Sequence, residues 1–284
     1  MKVAVVVNAN KSTGYGHYHR CRSLADALVA GGHEVSFVGD ISPRIPGVRH
    51  FYAHDETVSQ QWLLKVLPHW VVVDTPGVTP PWVYSDLWRT MVIDGIGQPG
   101  TEQAHLVISQ GMKGEFSAPE YLMLRPELSF VKPSHYRRQW LVFGGGYDEL
   151  GLCKVFSHTM ADQTANLIVP SDFREKPNSR HWLESSNATS NIVSLYGIGE
   201  RACLAMGMTV WEMLYLKVPC YVFSKTESHL ESAKSMGKWL HYWPEVGVPA
   251  SYLSEFLSLP PKQNFPDLDL KGAYRVVDLM VTYA

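Results

Sequence analysis

The sequence has 284 residues, of which 45% are hydrophobic, and a formal net charge of -2 at pH 7. A chain of this length and composition can bury one large core or two ordinary ones, which excludes a disordered protein. Lysine and arginine are spread along the chain, so we expect neither a nucleic-acid partner nor attachment to a membrane surface. Small ligands are the expected partners, and we expect a monomer.

The start of the chain has no long apolar segment and no small-residue cleavage site of the kind that a signal peptide needs. No later apolar run is long enough to span a bilayer, so we expect a cytoplasmic protein. The cysteines are far apart and form no C-x-x-C pair, which predicts reduced thiols and no zinc site. They are Cys21, Cys153, Cys203 and Cys220. His17 and His19 point in different directions on a helix, so no metal is predicted.

Short apolar runs that are typical of strands recur along the first half of the chain. They lie at 3–7, 34–38, 70–73, 91–93, 106–108 and 121–124. The segments between them are helical or rich in turn residues, and this alternation predicts a parallel sheet in an α/β domain. A polar, proline-bearing segment then precedes a new strand at 140–143, so we predict one domain over 1–132 and a second over 133–284. Further strands are predicted at 167–169, 192–195, 203–205 and 220–223, and a last helix within 268–284.

The segment Gly14-Tyr15-Gly16-His17-Tyr18-His19-Arg20-Cys21 joins the first strand to an amphipathic helix that ends near Gly31. His17 falls in the first helical turn, where unpaired backbone N–H groups disfavour a positive charge, so its imidazole can accept a proton. Arg20 lies three residues on, roughly on the same face. A neutral base beside a fixed cation suits chemistry on a phosphorylated substrate. The alternative is that His17 only caps the helix and that Arg20 is solvated.

The same glycines partly match the G-x-G-x-x-G dinucleotide fingerprint, with Asp40 as the ribose acid. His19 occupies the third glycine position and the loop before it is too long, so we expect no nicotinamide cofactor. Asp74 and Asp94 each end a predicted strand, and the carboxyl ends of parallel strands form the ligand crevice of such sheets. The two carboxylates are therefore expected to face the same edge as His17. They are candidates for ligand contact, or they only cap turns.

In the second half, Gly145 lies in a glycine-rich loop after a strand, where backbone can approach a ligand closely. Gly207 makes a turn before a helix that starts near Thr209, and Glu212 lies one turn into that helix. A helix N-terminus attracts phosphate and a carboxylate can hold ribose hydroxyls, so Gly207, Met208, Thr209 and Glu212 form a candidate diphosphate and ribose site. An ordinary first-turn acid and a plain tight turn are the alternatives.

In order and spacing, these motifs resemble those of the UDP-sugar hydrolase of pseudaminic acid biosynthesis over nearly the whole chain. That family is related to the spore-coat polysaccharide proteins and, more distantly, to the lipid-II-forming N-acetylglucosaminyltransferase. Besides the acids that end two strands, the resemblance rests on G-x-G-H-x-x-R-C at 14–21, Leu124-Arg125-Pro126-Glu127, Phe143-Gly144-Gly145 with Asp148, and Thr209-Val210-Trp211-Glu212 with Val218-Pro219.

The resemblance implies a GT-B-like α/β fold, with two Rossmann-like domains that face each other across a cleft and UDP held by the C-terminal half. In this architecture the last helix often returns to the N-terminal domain. It also implies that His17 is catalytic in a metal-independent reaction that needs no cofactor. In that reaction, water attacks the anomeric carbon of a UDP-linked diacetamido-trideoxy sugar and releases UDP and the free sugar.

The chain departs from the family at Met206 and Met208, beside the predicted phosphate turn. It departs again at Ser228 and His229, in a segment that usually reads Glu-Asn-Gln and that implies polar contacts to the sugar or diphosphate. A glycosyltransferase of the same fold and a non-catalytic nucleotide-sugar binder are therefore the alternative interpretations.

Overall fold

The computed structural model describes residues 1–8, 15–41, 48–53, 55–74, 79–94, 100–132, 139–144, 148–170, 180–186 and 192–284. The chain forms two compact units, Met1–Pro126 with Leu268–Ala284, and Glu127–Asp267. The second unit thus begins shortly before the predicted boundary at 132/133, and the end of the chain belongs to the first unit. Two predicted site residues, Gly14 and Gly145, lie outside the described residues.

The described strands form two parallel sheets of six, one in each unit. In the first unit they are β1 (Lys2–Val7), β2 (Glu34–Gly39), β3 (Arg49–Tyr52), β4 (Trp70–Asp74), β5 (Arg89–Ile93) and β6 (Leu106–Ile108). In the second unit they are β7 (Gln139–Phe143), β8 (Ala165–Pro170), β9 (His181–Ser186), β10 (Gly199–Ala205), β11 (Cys220–Ser224) and β12 (His241–Val246).

The strand orders are β3-β2-β1-β4-β5-β6 and β12-β11-β10-β7-β8-β9. Both are the doubly wound order of Rossmann-like sheets, in which the progression reverses between β1 and β4 and between β7 and β10. Ligands of such sheets bind at the carboxyl ends of the strands beside this reversal. The predicted α/β fold with two Rossmann-like domains is confirmed.

The described helices are α1 (Gly16–Ala30), α2 (Glu56–Val66), α3 (Leu152–Thr159), α4 (Val193–Tyr196), α5 (Met208–Tyr215), α6 (Glu227–Ser235), α7 (Leu253–Ser258) and α8 (Gly272–Thr282). Helix α1 buries Leu24 and Leu28 in the core that covers β1. It ends at Gly31, as predicted, and the next residue, Gly32, has a φ of 76°. Helix α8 packs against α1 and places Val276 in the same core. This packing joins the end of the chain to the first unit.

Two predicted strands are wrong. In the segment 121–124, the Gln110 side chain donates to the Tyr121 carbonyl and accepts from the Met123 amide, so these backbone groups bond to a side chain instead of a ladder. The segment 192–195 lies mostly in α4, which buries Val193 and Tyr196 at helical spacing. The remaining predicted strands are confirmed. All four cysteines are buried and free.

Candidate active site

A histidine and an aspartate meet where the first sheet reverses its strand order. Asp74 is the last residue of β4, pairs in register with Val7 of β1, and is fully buried. Helix α1 begins after β1 and carries His17 in its first turn. Oδ1 of Asp74 lies 2.6 Å from Nδ1 of His17. The neighbouring strands therefore bring together two residues that are far apart in the sequence.

The partners of Nδ1 determine the tautomer of His17. Nδ1 has two polar neighbours. One is the Asp74 carboxylate at 2.6 Å, which can only accept a hydrogen bond, and the other is Nη2 of Arg20 at 3.0 Å, which can only donate one. Nη2 already donates to Asp74 Oδ1 at 2.5 Å. We therefore assign the Nδ1–H tautomer, which donates to Asp74 and leaves Nε2 able to accept a proton. The His17 side chain is 25% exposed, so it remains accessible from solvent.

The Arg20 side chain is buried between two carboxylates. Its Nε donates to Asp74 Oδ2 at 2.6 Å, which completes a two-point contact with that carboxylate, and its Nη1 donates to Oδ2 of Asp94. Burial alone would lower the pKa of Arg20, but the charges of Asp74 and Asp94 hold it above its ordinary value. The guanidinium stays charged and is directed at Asp74 and Asp94.

Asp74 is held ionised although it has no contact with solvent. Burial favours the neutral acid, but the charge of Arg20, together with the hydrogen bonds from Arg20 and His17, keeps the pKa of Asp74 well below its ordinary value. Cys21 donates its thiol to Asp74 Oδ2 at 3.2 Å, and burial and the Asp74 charge raise the pKa of Cys21 well above its ordinary value. A protonated thiol is a suitable third partner for the carboxylate.

Asp94 is fixed from the neighbouring strand. It follows β5 with a φ of 59°, and its amide donates to the carbonyl of Ile108 at 2.8 Å. Its Oδ1 accepts the backbone N–H of Gln110 at 2.6 Å. Asp and Asn tolerate such left-handed backbone better than most residues do. The four residues that the sequence suggested at this edge, His17, Arg20, Asp74 and Asp94, thus lie in one cluster of contacts.

In the second unit, the predicted phosphate turn lies beside the reversal between β7 and β10. Gly207 follows β10 and precedes α5, its backbone is extended, and a Cβ added there would meet nothing within 4 Å. Met206, Met208 and Thr209 are half-buried around it. The first N–H groups of a helix have no partner within the helix, so the open turn presents donors that suit an anion.

Glu212 is buried and accepts a hydrogen bond from the Tyr196 hydroxyl at 2.9 Å. Tyr196 ends α4, which covers most of the segment 192–195 that sequence analysis assigned to a strand, so this contact was missed. Elsewhere in this unit, the backbone of Gly144 lies close to the Asp148 side chain, because a Cβ added at Gly144 would lie 1.8 Å from Oδ1 of Asp148. Asp148 in turn accepts the N–H of Cys153 at the start of α3. Asp148 thus caps a helix here.

Ser228 and His229 lie in the first turn of α6, whose N-cap Thr226 accepts the N–H of His229 at 3.2 Å. Ser228 is exposed, whereas the Nδ1 atom of His229 is buried and has no hydrogen-bond partner among the described residues. Burial and then the charge of Lys225 lower the pKa of His229, which favours its neutral form. A neutral imidazole can donate or accept.

The described ranges contain no group of three or more His, Cys, Asp or Glu side chains arranged to hold a metal ion. They also contain no helix long and apolar enough to cross a membrane.

The fold is shared over the full chain with glycosyltransferases and with a sugar-nucleotide epimerase. UDP-GlcNAc 2-epimerase from Methanocaldococcus jannaschii is 12% identical, with 99% of this chain and 100% of that chain covered and a TM-score of 0.67 in the structure with UDP-GlcNAc and UDP. Acinetobacter baumannii MurG is 11% identical, with 99% of each chain covered and a TM-score of 0.66.

The glycosyltransferase SnogD from Streptomyces nogalater is 13% identical, with 100% of this chain and 99% of that chain covered and a TM-score of 0.58. No family model and no curated protein sequence matches the chain. At these identities, the similarity shows the two-domain fold that these proteins have in common.

Proposed function

We propose that this chain is a UDP-sugar-processing enzyme, and specifically that it hydrolyses a UDP-linked diacetamido-trideoxy sugar with His17 as the general base. The observation that carries this proposal is the contact between His17 Nδ1 and the buried, ionised Asp74. Such a pairing orients an imidazole and stabilises the imidazolium that forms when Nε2 takes a proton.

In the proposed reaction, a water oxygen attacks the anomeric carbon of the sugar while Nε2 of His17 takes its proton. The bond between the anomeric carbon and the β-phosphate oxygen breaks, and its electron pair leaves with UDP. Asp74 neutralises the new charge on His17, and the proton later returns to solvent. UDP is a good leaving group, so positioning and charge stabilisation supply most of the acceleration and no metal is required.

The second unit is proposed to bind the nucleotide. The open turn at Gly207, with the amides of Met208 and Thr209, suits a diphosphate, and Glu212 is the candidate for the ribose hydroxyls. Ser228 and His229 are candidates for contacts to the sugar. The epimerase of similar fold is described in complex with UDP-GlcNAc and UDP, which supports a UDP-sugar as the ligand class.

A glycosyltransferase is the second candidate, since several proteins of similar fold are glycosyltransferases. His17 would then take its proton from an acceptor hydroxyl instead of water. A non-catalytic binder is a weaker candidate, because binding alone needs no buried carboxylate aligned with an imidazole.

Phosphorus and proton NMR of the protein with the UDP-diacetamido-trideoxy-hexose, with and without Mg²⁺, separates these candidates. We expect UDP and free sugar from the wild type and from His158→Ala, which removes an exposed histidine in α3, but not from His17→Ala. UDP release only when a sugar acceptor is added would establish the transferase instead. Nucleotide binding without turnover under either condition would refute an enzyme for this substrate.

A further inference from the structure

We propose that Asp94 is a positioning residue, which holds Arg20 so that Arg20 fixes the carboxylate paired with His17. This inference rests on the proposed function, because it assigns a role in the same cluster. It differs from the two sequence-based alternatives for Asp94, which were a contact with the ligand and a turn cap.

The contacts run in one line from the loop after β6 to His17. The backbone N–H of Gln110 donates to Asp94 Oδ1 at 2.6 Å, and Oδ2 of the same carboxylate accepts from Nη1 of Arg20. Arg20 in turn donates hydrogen bonds to Asp74 from Nε at 2.6 Å and from Nη2 at 2.5 Å. Asp74 accepts from His17 at 2.6 Å. Both oxygens of Asp94 are thus engaged within the protein.

The burial of Arg20 excludes a direct role in binding a substrate phosphate in this arrangement. Its side chain is only 6% exposed, and each guanidinium nitrogen donates to a carboxylate. Because a planar guanidinium that donates to carboxylates on two of its sides cannot rotate in its plane, the hydrogen bonds from Arg20 to Asp74 keep a fixed direction. Without Asp94, Nη1 would be a buried donor without this acceptor, and the guanidinium would lose one of the two carboxylates that orient it.

The charges of the cluster support the same role. Arg20 contributes one positive charge against the two negative charges of Asp74 and Asp94, and the protonated Cys21 contributes none. A proton gained by His17 offsets the negative charge that remains. Asp94 is 37% exposed, so solvent screens its charge, and its principal effect is on geometry.

Asp94→Asn is the test, because asparagine keeps the shape, tolerates a φ of 59° and still offers an oxygen to Gln110. Its amide group faces a guanidinium that has only donors, so the contact with Arg20 is lost. We expect kcat to fall about 10- to 100-fold with KM nearly unchanged, the effect of misplacing a catalytic group. Asp86→Asn, at an exposed turn, is the matched control.

Asp94→Glu is the second variant, which retains the charge on a longer arm. We expect a kcat between those of the wild type and Asp94→Asn. A rise in KM without a change in kcat for either variant would overturn the proposal, because it would place Asp94 against the substrate.

A readout that needs no turnover separates this inference from the proposed function. Long-range nitrogen NMR of the His17 ring reports which nitrogen carries the proton. We expect the Nδ1–H tautomer in the wild type and in Asp86→Asn, and a mixture of tautomers in Asp94→Asn. A change of tautomer in a protein that turns over no UDP-sugar would support the positioning role while the proposed function fails. An unchanged tautomer and an unchanged kcat in Asp94→Asn would overturn the positioning role.

Discussion

Nδ1 of His17 lies 2.6 Å from Oδ1 of Asp74, although the two residues are 57 positions apart in the sequence. The strand order brings them together. His17 belongs to the helix that follows β1, and Asp74 ends β4. These two strands pair at the point where the strand order of the sheet reverses. A doubly wound sheet thus places a histidine from the helix after one strand beside a carboxylate at the end of the neighbouring strand.

Asp74→Asn and His17→Ala should differ in their effect on stability. Asp74→Asn leaves Arg20 buried with only Asp94 as a charged partner, so we expect a loss of about 3 kcal/mol in the free energy of unfolding. His17→Ala keeps the pair between Arg20 and Asp74 and should cost about 1 kcal/mol, the value of a single hydrogen bond. Urea denaturation at pH 7 measures both. Equal losses would show that Asp74 does not compensate the Arg20 charge.

We expect His19 to make the stability of the protein depend on pH, at pH values above those at which carboxylates titrate. Burial, followed by the charges of Arg125 and Arg22, lowers the pKa of His19 to about 2. The unfolded chain binds a proton near pH 6.5, whereas the folded protein does not, so stability is complete above that pH and is lost as the pH falls. Between pH 7 and pH 5, we expect this residue to contribute a loss of about 2 kcal/mol.

The variant His19→Gln, which cannot be protonated, isolates this contribution. Urea denaturation at pH 7 and pH 5 should show a smaller loss of stability in His19→Gln than in the wild type. His158→Gln, which replaces an exposed histidine, should lose as much as the wild type. If wild type and His19→Gln lose equal stability, His19 is protonated in the folded protein.

The sequence predicts the central strands well and the edge strands poorly, for a physical reason. Strands within a parallel sheet are buried on both faces and read as continuous apolar runs, as in β1, β4 and β11. The strands without a prediction, β3, β9 and β12, lie at sheet edges. An edge strand has neighbours on one side only, and the sequence of β12 includes His241 and Pro244. Such segments carry no period that distinguishes a strand from a loop.

The sequence suggested the members of the first-unit cluster but not their contacts. Acids that end two strands and a histidine in the first helical turn predicted that these groups would share one edge of the sheet. The tautomer of His17 and the burial of Arg20 depend on the register between β1 and β4, which no local pattern contains. Gln110 and Tyr196 were missed for the same reason, because their partners come from other segments.

Gly272→Ala should weaken the attachment of the last helix to the first unit. A Cβ at this position would lie 2.1 Å from the carbonyl oxygen of Leu122, which is backbone and cannot turn aside. Helix α8 would have to shift, and its buried residues Val276 and Met280 would shift with it. We expect a loss of about 1 to 3 kcal/mol in the free energy of unfolding.

A glycine with open space is the matched control for that substitution. Gly207→Ala adds the same methyl group where nothing lies within 4 Å and where the backbone is extended, so it should leave stability nearly unchanged. A loss of stability in Gly207→Ala as large as that in Gly272→Ala would refute the steric explanation, because only Gly272 has backbone atoms in the way.

The same Gly207→Ala protein tests the proposed phosphate turn. A methyl group in the open space before α5 would keep a diphosphate away from the amides of Met208 and Thr209, so we expect the Kd for UDP to rise about tenfold or more, equivalent to about 1.4 kcal/mol. Gly111→Ala, which adds a methyl group at ordinary contact distance in the first unit, should bind UDP as the wild type does. Calorimetric titration with UDP measures both. Because the fold is expected to be intact in Gly207→Ala, unchanged affinity would show that UDP does not bind at this turn.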